Sequence, residues 1–373
     1  MLRTDRIFAA GVAVAAALGV AACGSSSSSS SSATPAAGSS STSSSSSASG
    51  TINGAGSTFA APIYEQWGST LQGQGITINY NAAGSGTGVA DLQSGTVDFA
   101  GSDPAMKPSE ITAAKGPVAE FPIAFGGITV SYNLPGVKTG LKLDGKTVAD
   151  IFLGKVKTWN DPEIKALNSG ISLPGTSITV VHRSDSSGTT KGFATFLSDY
   201  SPAWTAAAGI PDKTVKWPTG TGAKGNSGVA AAVKQTAGAV GYVEQAYALQ
   251  NGFTYAAIKN KAGKYMPATL AAASAAAVGI KVPSNLAISV INSPNPSAYP
   301  ITSQTFLIVY KDMCKAGVSS SAAAAVKKLI AYGISAQGQS QEKQLSYAPL
   351  PASLLAKDTA QLATLKCNGA ALS

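Results

Sequence analysis

The alternation of short β-branched segments with alanine-rich segments constrains the fold of this chain more than any other feature. Six segments have the composition of strands: "ITINYN" (76–81), "TVDFAGS" (96–102), "ITVSYN" (128–133), "SITVVHR" (177–183), "AVGYVE" (239–244) and "TFLIVY" (305–310). Helical patterns fall at about 60–72, 86–94, 107–115, 161–168, 190–199, 227–236, 321–333 and 352–364. This alternation predicts an α/β fold with largely parallel sheets. Roughly 320 residues follow position 50, enough for two lobes with a substantial core.

The first 23 residues predict export. The stretch "MLRTDRIFAAGVAVAAALGVAAC" runs from two arginines through an apolar core to small residues at a cysteine. The apolar run is too short and wrongly flanked for a stable membrane span. Its last letters, "VAAC", resemble the bacterial lipobox, in which cleavage precedes a cysteine that is then acylated. We therefore expect a signal peptide over residues 1–22 and a lipid, such as palmitate, on Cys23. The alternative is a secreted chain without lipid.

A serine-rich segment follows Cys23. Residues 24–50 are nearly all Ser, with Ala, Gly, Thr and a single Pro. Such a segment cannot bury enough apolar surface to offset its ordering entropy, so the sequence predicts a disordered linker over residues 23–50. As a flexible coil it would span roughly 30 Å, which places a folded domain clear of the membrane.

The charge of the chain argues against a nucleic-acid partner. Lys and Arg together number 27 against 18 Asp and Glu, for a formal charge of +9. The basic residues occur singly, without the runs or aromatic interleaving expected of a nucleic-acid surface. A dilute positive field suits a small anionic ligand or an anionic cell envelope.

Two cysteines remain after Cys23, namely Cys314 and Cys367. In an exported domain this number favours a disulfide over a metal pair or a reactive thiol. No His-rich or CxxC pattern predicts a zinc site.

Three places repeat one local pattern, in which a strand or turn leads through Gly, Ser and Thr into a helix. They are "NGAGSTF" (53–59), "NAAGSGTGV" (81–89) and "SDSSGTTKGF" (184–193). Ser and Thr cap helices well, and Gly lets the backbone approach a ligand closely. Helix N-termini carry free N–H donors and a partial positive charge. Three such starts suggest convergence on an anion, although each alone is ordinary capping.

The stretch "HRSDSSGT" (182–189) invites an enzymatic interpretation that its chemistry does not support. It holds His182, the only histidine, but no serine in the chain has the G-x-S-x-G context of a nucleophile elbow. We interpret His182 as structural or solvent-facing. The chain also lacks the P-loop motif. Gly220, Gly222 and Gly225 fit G-x-G-x-x-G, with Glu244 further on, but Pro218 stands where a Rossmann strand would end, which favours a glycine-rich turn.

Charged residues in and near this stretch suit oxyanion binding. Arg183 can grip an oxyanion with two parallel donors, and Asp185, two residues along the same strand, can hold the guanidinium. A surface ion pair of little consequence is the alternative. Asp103, in "GSDPAM", has the pattern of a helix N-cap before Pro104. Near an anion site it would instead require a ligand that carries a proton, as phosphate does and sulfate does not.

Seven sequence blocks carry a family resemblance. They are "NGAGSTFAAPIYEQW", "YNAAGSGTGVADLQSGTVDFAGSDPAM", "LDGKTVADIFLGKVKTWND", "VVHRSDSSGTTKGF", "VKWPTGTGAKGNSGVAAAV", "GAVGYVEQAYALQNG" and "YPITSQTFLIVYKD". Together, from about residue 51 to the C-terminus, they resemble the phosphate-binding lipoproteins of the bacterial phosphate-specific ABC transporter, the Pst system. The segment 260–300 matches weakly.

The resemblance implies the two-lobed, hinged fold of the type II periplasmic binding proteins, with phosphate enclosed between the lobes. One lobe would comprise residues 51–126 and 303–373, and the other residues 127–302. Cys314 and Cys367 would then fall in the same lobe. The implied function is capture of inorganic phosphate outside the cytoplasmic membrane and delivery to a permease powered by a cytoplasmic ATPase, without a cofactor or covalent chemistry.

The resemblance also implies a set of phosphate-binding residues: Thr58, Phe59, Ser85, Asp103, Arg183, Ser187, Gly188 and Thr189. Thr58 would donate through its backbone and its hydroxyl, and Asp185 would align Arg183. Asp103 would accept the proton of phosphate and repel sulfate. The chain departs from the family at Ala60, where proline is frequent, and at His182, where a second arginine can occur. The alternatives are an exported phosphatase, or a binder of another oxyanion such as sulfate or molybdate.

Overall fold

The structure is a computed structural model that describes residues 49–372. The predicted signal peptide, the lipidation site Cys23 and almost all of the serine-rich linker lie outside the described residues. None of the helices in the described part of the chain has the length and hydrophobicity of a membrane-spanning segment.

Within residues 49–372 the chain forms strands and helices in alternation. The strands are β1 (Gly50–Gly56), β2 (Ile76–Asn81), β3 (Phe99–Ser102), β4 (Val118–Tyr132), β5 (Lys142–Leu143), β6 (Thr179–Arg183), β7 (Thr221–Ala223), β8 (Ala239–Glu244), β9 (Thr254–Tyr255), β10 (Ala257–Lys259), β11 (Tyr265–Met266), β12 (Thr302–Tyr310), β13 (Lys366–Cys367) and β14 (Ala370–Ala371). The helices are α1 (Ala61–Gln72), α2 (Ser85–Ser94), α3 (Pro108–Thr112), α4 (Gly145–Phe152), α5 (Pro162–Leu167), α6 (Gly188–Tyr200), α7 (Pro202–Ala208), α8 (Gly225–Gln235), α9 (Gln245–Gln250), α10 (Leu270–Ala276), α11 (Ser320–Gly333), α12 (Ala336–Gln344) and α13 (Ala352–Leu362).

Nine strands form one sheet, in the order β2-β1-β3-β12-β4-β8-β6-β7 with β9 also beside β4. At the two ends of this order the pairs are parallel: β1 with β2 and β3, and β6 with β7 and β8. In the middle, β12 runs antiparallel to β3 and β4, and β4 runs antiparallel to β8. The prediction of an α/β fold is confirmed, but the prediction of largely parallel sheets is wrong for the central strands. The reason is that β4 and β12 return across the sheet instead of following a β–α–β crossover.

Strand β4 is the longest in the described chain, and it changes partner along its length. Residues up to Gly127 pair with β12, whereas Ile128–Tyr132 pair with β8. A bulge lies opposite Thr305 and Phe306, where Pro122 interrupts the regular register. Proline cannot donate to a ladder, so a bulge is where an internal strand tolerates it.

Helices cover the sheet at both ends. The helices α1, α2 and α11 pack on β1–β3, and α8 packs on β6 and β8. Local caps begin several helices: Asp144 accepts a hydrogen bond from the Thr147 N–H of α4, and Ser187 accepts one from the Thr190 N–H of α6. The buried apolar side chains of the two ends join in one large cluster that runs through the central strands.

A disulfide joins Cys314, just after β12, to Cys367 in β13, as the sequence predicts. The two cysteines are 53 positions apart. Closing a loop of that length removes chain entropy from the unfolded state and stabilises the fold by about 4 kcal/mol. The disulfide therefore holds the C-terminal segment beside the antiparallel strand β12.

Candidate functional site

Five loops at the carboxyl ends of strands meet in one buried cluster. These loops follow β1, β2, β3, β6 and β7 and lead to α1, α2, α3, α6 and α8. Carboxyl ends of parallel strands share one edge of a sheet, which is where α/β proteins place their ligands. Seven of the eight predicted binding residues lie in these loops or helix starts and the eighth, Arg183, is the last residue of β6; all are buried: Thr58, Phe59, Ser85, Asp103, Arg183, Ser187, Gly188 and Thr189.

The loop after β1 presents backbone N–H groups without acceptors. Among the described residues, the N–H groups of Thr58 and Phe59 donate to no protein atom, whereas the next one, of Ala60, donates to the Ser57 hydroxyl at 3.0 Å. The Thr58 hydroxyl oxygen accepts two hydrogen bonds from Asn226, from its backbone N–H at 3.2 Å and its amide at 2.9 Å. Its own proton is therefore free to donate. Unpaired buried N–H groups are costly, so this loop is built to meet an acceptor.

Ser85 connects the loop after β3 to the start of α6. Its hydroxyl oxygen accepts hydrogen bonds from the N–H groups of Asp103 and Gly188, both at 3.2 Å, and its proton points toward the Asp103 carboxylate at 3.4 Å. A Cβ on Gly188 would lie 2.6 Å from both the Asp103 carboxylate and the Ser85 hydroxyl. Only glycine permits this close approach, since real Cβ atoms do not come within 3.0 Å of such groups.

Arg183 is buried and fixed by Asp185. Its Nε and Nη2 donate to the two carboxylate oxygens of Asp185 at 2.8 and 2.5 Å, and its Nη1 reaches the Thr189 hydroxyl at 3.3 Å. The arginine side chain is 1% exposed, so the alternative of a surface ion pair is wrong. Strand β6 ends at Arg183, which puts Asp185 in the loop instead of on the strand, yet the two-pronged pairing still forms. The guanidinium beside it is one of the contacts that lower the pKa of Asp185, against the effect of burial.

The Asp103 carboxylate accepts hydrogen bonds from several hydroxyls, and it caps no helix. Strand β3 ends at Ser102 and α3 begins only at Pro108, so the N-cap interpretation is wrong. One carboxylate oxygen accepts from the hydroxyls of Ser57 and of Thr305, the latter at 3.0 Å. Burial raises the pKa of Asp103 to about 6, against the lowering effects of these hydroxyls and of the charge of Arg183. The carboxylate is therefore ionised at neutral pH and acts as an acceptor.

Ser187 and Thr189 begin α6 in different roles. The Ser187 hydroxyl oxygen caps the helix by accepting the Thr190 N–H at 3.1 Å, and its backbone N–H donates to the Lys213 carbonyl at 2.8 Å. The Thr189 hydroxyl oxygen accepts from Arg183 and from Asn226, which leaves its proton free. Of the three predicted helix starts, only that of α6 has a serine cap, because Ala60 and Gly84 occupy the N-cap positions of α1 and α2.

A fourth helix start supplies a residue that the sequence analysis missed. The glycine-rich stretch at 220–225 forms the short strand β7 and a turn into α8, and the turn carries Asn226 to the Thr58 and Thr189 hydroxyls. The Gly225 N–H also donates to Asp185 at 3.0 Å. The sequence does contain a signal for Asn226, because "KGNSG" repeats the pattern of Gly, polar residue and helix seen at the other three helix starts. Ser57 and Thr305, which bind Asp103, were also missed.

His182 lies beside the cluster without joining it. Its ring stacks on that of Trp217, with centroids 4.6 Å apart and planes at 9°. Its Nδ1 lies 3.0 Å from the Arg183 carbonyl oxygen. The structural interpretation of His182 is confirmed by these contacts. Over residues 49–372, no group of three or more His, Cys, Asp and Glu side chains has the geometry to hold a metal ion.

The chain is similar to known proteins across most of its length. The sequence profile of the PBP superfamily domain matches residues 41–337. The phosphate-binding protein PstS of Pasteurella multocida is 41% identical over 318 residues, covering 84% of this chain and 90% of that protein. The phosphate-binding protein PstS of Haemophilus influenzae is 39% identical over 320 residues, covering 84% and 93%.

A solved structure supports the fold. The phosphate-binding protein of Stenotrophomonas maltophilia superposes with a TM-score of 0.65 at 18% identity, covering 84% of this chain and 94% of that one. This confirms the two-lobed periplasmic-binding-protein fold that the family resemblance implies. The chain belongs to the PBP superfamily and, within it, to the family of PstS phosphate-binding proteins.

Proposed function

We propose that this protein captures inorganic phosphate outside the cytoplasmic membrane and delivers it to the permease of an ABC transporter. One observation carries the proposal: within the described part of the chain, a buried arginine, fixed by Asp185, shares a buried cluster with unpaired N–H and O–H donors and with one ionised acceptor that no cation pairs, Asp103. Many donors and one acceptor suit a tetrahedral oxyanion that still carries a proton. The names of the PstS relatives agree with this chemistry.

The proposed roles follow from the free hydrogen-bonding capacity of each residue. Backbone donors would come from Thr58, Phe59, Ser85, Gly188 and Thr189, and hydroxyl donors from Thr58, Ser85, Ser187 and Thr189. Arg183 would supply the charged donors, and its Asp185 partner would hold the guanidinium. Three protein contacts would have to yield to the ligand: the Ser85 hydroxyl now donates to Asp103, the Gly188 N–H donates to Ser85, and the guanidinium Nη1 donates to Thr189.

Asp103 would provide selectivity. At neutral pH its carboxylate can act only as an acceptor, and phosphate offers its own proton whereas fully ionised sulfate offers only negative charge. A site with buried polar groups rejects a ligand that leaves one of them unpaired by a large factor. The binding of phosphate and the rejection of sulfate would therefore come from the same side chain.

We further propose that the two lobes comprise residues 51–126 with 303–373, and residues 127–302. Support comes from the partner change in β4 between Gly127 and Ile128 and from the start of β12 at Thr302. Gly126 and Gly127 lie at this change, so the backbone there bears no Cβ. Closure of the lobes would bring Thr58, Ser85 and Asp103 against Arg183 and Gly188.

The proposal includes a lipid anchor and a transport role without catalysis. Cys23 would carry the acyl chain and hold the protein on the extracytoplasmic face of the cell membrane, with the linker to residue 50 as a tether. The partners would be the permease subunits and, through them, the cytoplasmic ATPase. The PstS relatives, which are named phosphate-binding proteins, support binding over phosphomonoester hydrolysis.

Titration of the purified protein with inorganic phosphate by calorimetry tests this function. We expect phosphate to bind at one site per chain and equimolar sulfate to leave the isotherm unchanged. Preference for sulfate, or turnover of a phosphomonoester by the same preparation, would contradict the proposal. For the anchor, loss of membrane retention in Cys23→Ser is the expected result.

A further inference from the structure

Three consecutive backbone carbonyls in the loop after β1 each accept a hydrogen bond from a different tyrosine. The carbonyl of residue 57 accepts from Tyr80 at 2.9 Å, that of residue 58 from Tyr247 at 2.8 Å, and that of residue 59 from Tyr347 at 2.5 Å. We call these three side chains the tyrosine clamp. The clamp therefore gives a hydrogen-bond donor to each of three adjacent carbonyls in an irregular loop, and the three donors come from distant parts of the sequence.

The tyrosine clamp fixes the direction of the neighbouring N–H groups. In a trans peptide the N–H of one residue points opposite to the carbonyl of the residue before it. The carbonyls of residues 57 and 58 face Tyr80 and Tyr247, so the N–H groups of Thr58 and Phe59 face the other way. These are the two N–H groups of the loop that donate to no protein atom among the described residues. The clamp thus turns both of them away from the tyrosine hydroxyls.

The members of the clamp come from both sides of the cluster. Tyr80 lies in β2 and Tyr347 follows α12, whereas Tyr247 lies in α9, within the segment that contains Arg183. Thr58 also receives its two side-chain contacts from Asn226 of that segment. The peptide group between Thr58 and Phe59 therefore has all the hydrogen bonds that orient it only when the two sides are together.

Tyr347 further ties the loop to a buried acid. Its hydroxyl has one proton, and the carbonyl of Phe59 at 2.5 Å takes it. The same hydroxyl lies 3.0 Å from a Glu244 carboxyl oxygen, which can accept from it in turn and which also accepts the Ala246 N–H at 2.7 Å. Burial raises the pKa of Glu244 well above its usual value. Tyr347 therefore lies between the Phe59 carbonyl and a buried carboxyl group, and both contacts hold its hydroxyl in place.

We propose that Tyr80, Tyr247 and Tyr347 are positioning residues that orient the peptide groups of residues 57–60, so that the N–H groups of Thr58 and Phe59 donate to the bound oxyanion. Tyr247 adds its contribution on closure and so slows release of the ligand. The inference rests on the proposed function and extends it to residues that do not touch the ligand.

Single Tyr→Phe variants of the whole protein test the clamp, with inorganic phosphate as the probe. Each variant removes one hydroxyl and keeps the ring. We expect phosphate affinity to fall about 5- to 30-fold in Tyr247→Phe, mainly through faster release in stopped-flow measurements. The matched control is Tyr132→Phe, which removes an equivalent bond to the Lys138 carbonyl at 2.5 Å, away from the site. We expect its phosphate affinity to equal that of the wild type.

A spectroscopic readout separates positioning from general stability. The backbone amide resonances of Thr58 and Phe59 should shift downfield when phosphate binds to the wild-type protein and shift less in Tyr80→Phe and Tyr247→Phe. If these variants bind phosphate as tightly as the wild type, or if Tyr132→Phe weakens binding equally, the clamp is wrong while the proposed function stands. If the wild-type protein binds no phosphate, both are wrong. Should Tyr347→Phe fail to fold, the other two variants decide the question.

Discussion

Single residues of the cluster divide into those that the sequence reveals and those that only the fold brings in. Arg183 and Asp185 are two positions apart, so their pairing follows from local geometry. Asn226 and Thr305 reach Thr58 and Asp103 across 168 and 202 positions. Contacts of such separation depend on the order of strands in the sheet, which no local pattern encodes. The donors at the helix starts were therefore predictable, while the side chains that orient them were not.

At Asp103 the selectivity for phosphate should depend on pH. Burial raises the pKa of this carboxyl to about 6, so it is ionised above that value and protonated below it. A protonated Asp103 can donate to an oxyanion instead of requiring a donor. We expect sulfate affinity to rise as the pH falls from 7.5 to 5, by about tenfold, because one hydrogen bond to a charged group replaces a repulsion. Calorimetric titration with sulfate at several pH values measures this.

The matching variant is Asp103→Asn, whose amide can donate at any pH. It should bind sulfate at pH 7.5 about as well as the wild type does at pH 5, with little further change on acidification. Its loss of phosphate affinity should be smaller than its gain in sulfate affinity. If the wild-type protein binds sulfate with the same affinity at pH 5 and pH 7.5, Asp103 does not exclude sulfate.

Among the elements, strands with an uninterrupted pattern are predicted well from the sequence, whereas the long strand β4 is predicted only in part. The strand predicted at 76–81 coincides with β2, and the strand predicted at 239–244 coincides with β8. Of β4, only the part after position 127 was predicted, because Pro122 and a glycine pair interrupt its pattern. Pro122 coincides with the bulge and the glycine pair coincides with the change of partner. The same residues therefore interrupt the strand pattern in the sequence and determine the shape of the strand in the structure.

Helix α13 carries a buried acid that should make stability depend on pH. Asp358 is fully buried, and among the described residues neither carboxylate oxygen has a hydrogen-bond partner. Burial raises its pKa to about 8, from about 3.9 in an unfolded chain. Its stabilising contribution is complete below pH 4 and is lost as the pH rises through 8, with a slope of at most about 1.4 kcal/mol per pH unit.

We expect Asp358→Asn to flatten this dependence. Chemical denaturation at pH 5, 6.5 and 8 should give a free energy of unfolding that falls less with pH in the variant than in the wild type. Glu65→Gln, which removes an exposed carboxylate from helix α1, is the control and should leave the slope unchanged. Equal slopes for the wild type and Asp358→Asn would show that Asp358 is ionised in the folded protein.

For the whole molecule, two reciprocal ion pairs link the two proposed lobes. Lys107 pairs with Asp212, and Glu110, in α3, pairs with Lys213. The first partner of each pair lies between β3 and β4, and the second lies in the loop after α7. The Lys213 carbonyl also accepts the Ser187 N–H at the start of α6. The pairs thus connect the outer rim of the cluster to the residues proposed to hold phosphate.

These pairs should slow the release of phosphate in a salt-dependent way. The Lys213 side chain is 6% exposed and that of Glu110 is 20% exposed, so their pair is screened less than an open surface pair. We expect Glu110→Gln to raise the dissociation rate about two- to fivefold at low salt, in line with the modest energy of partly exposed pairs. At 1 M salt the difference from the wild type should shrink. Glu163→Gln, which breaks a pair with Lys146 inside the segment 127–302, is the matched control. If both variants release phosphate at the wild-type rate in stopped-flow experiments at low salt, the ion pairs at the rim contribute nothing to closure, and the donors of the buried cluster alone hold the two sides together.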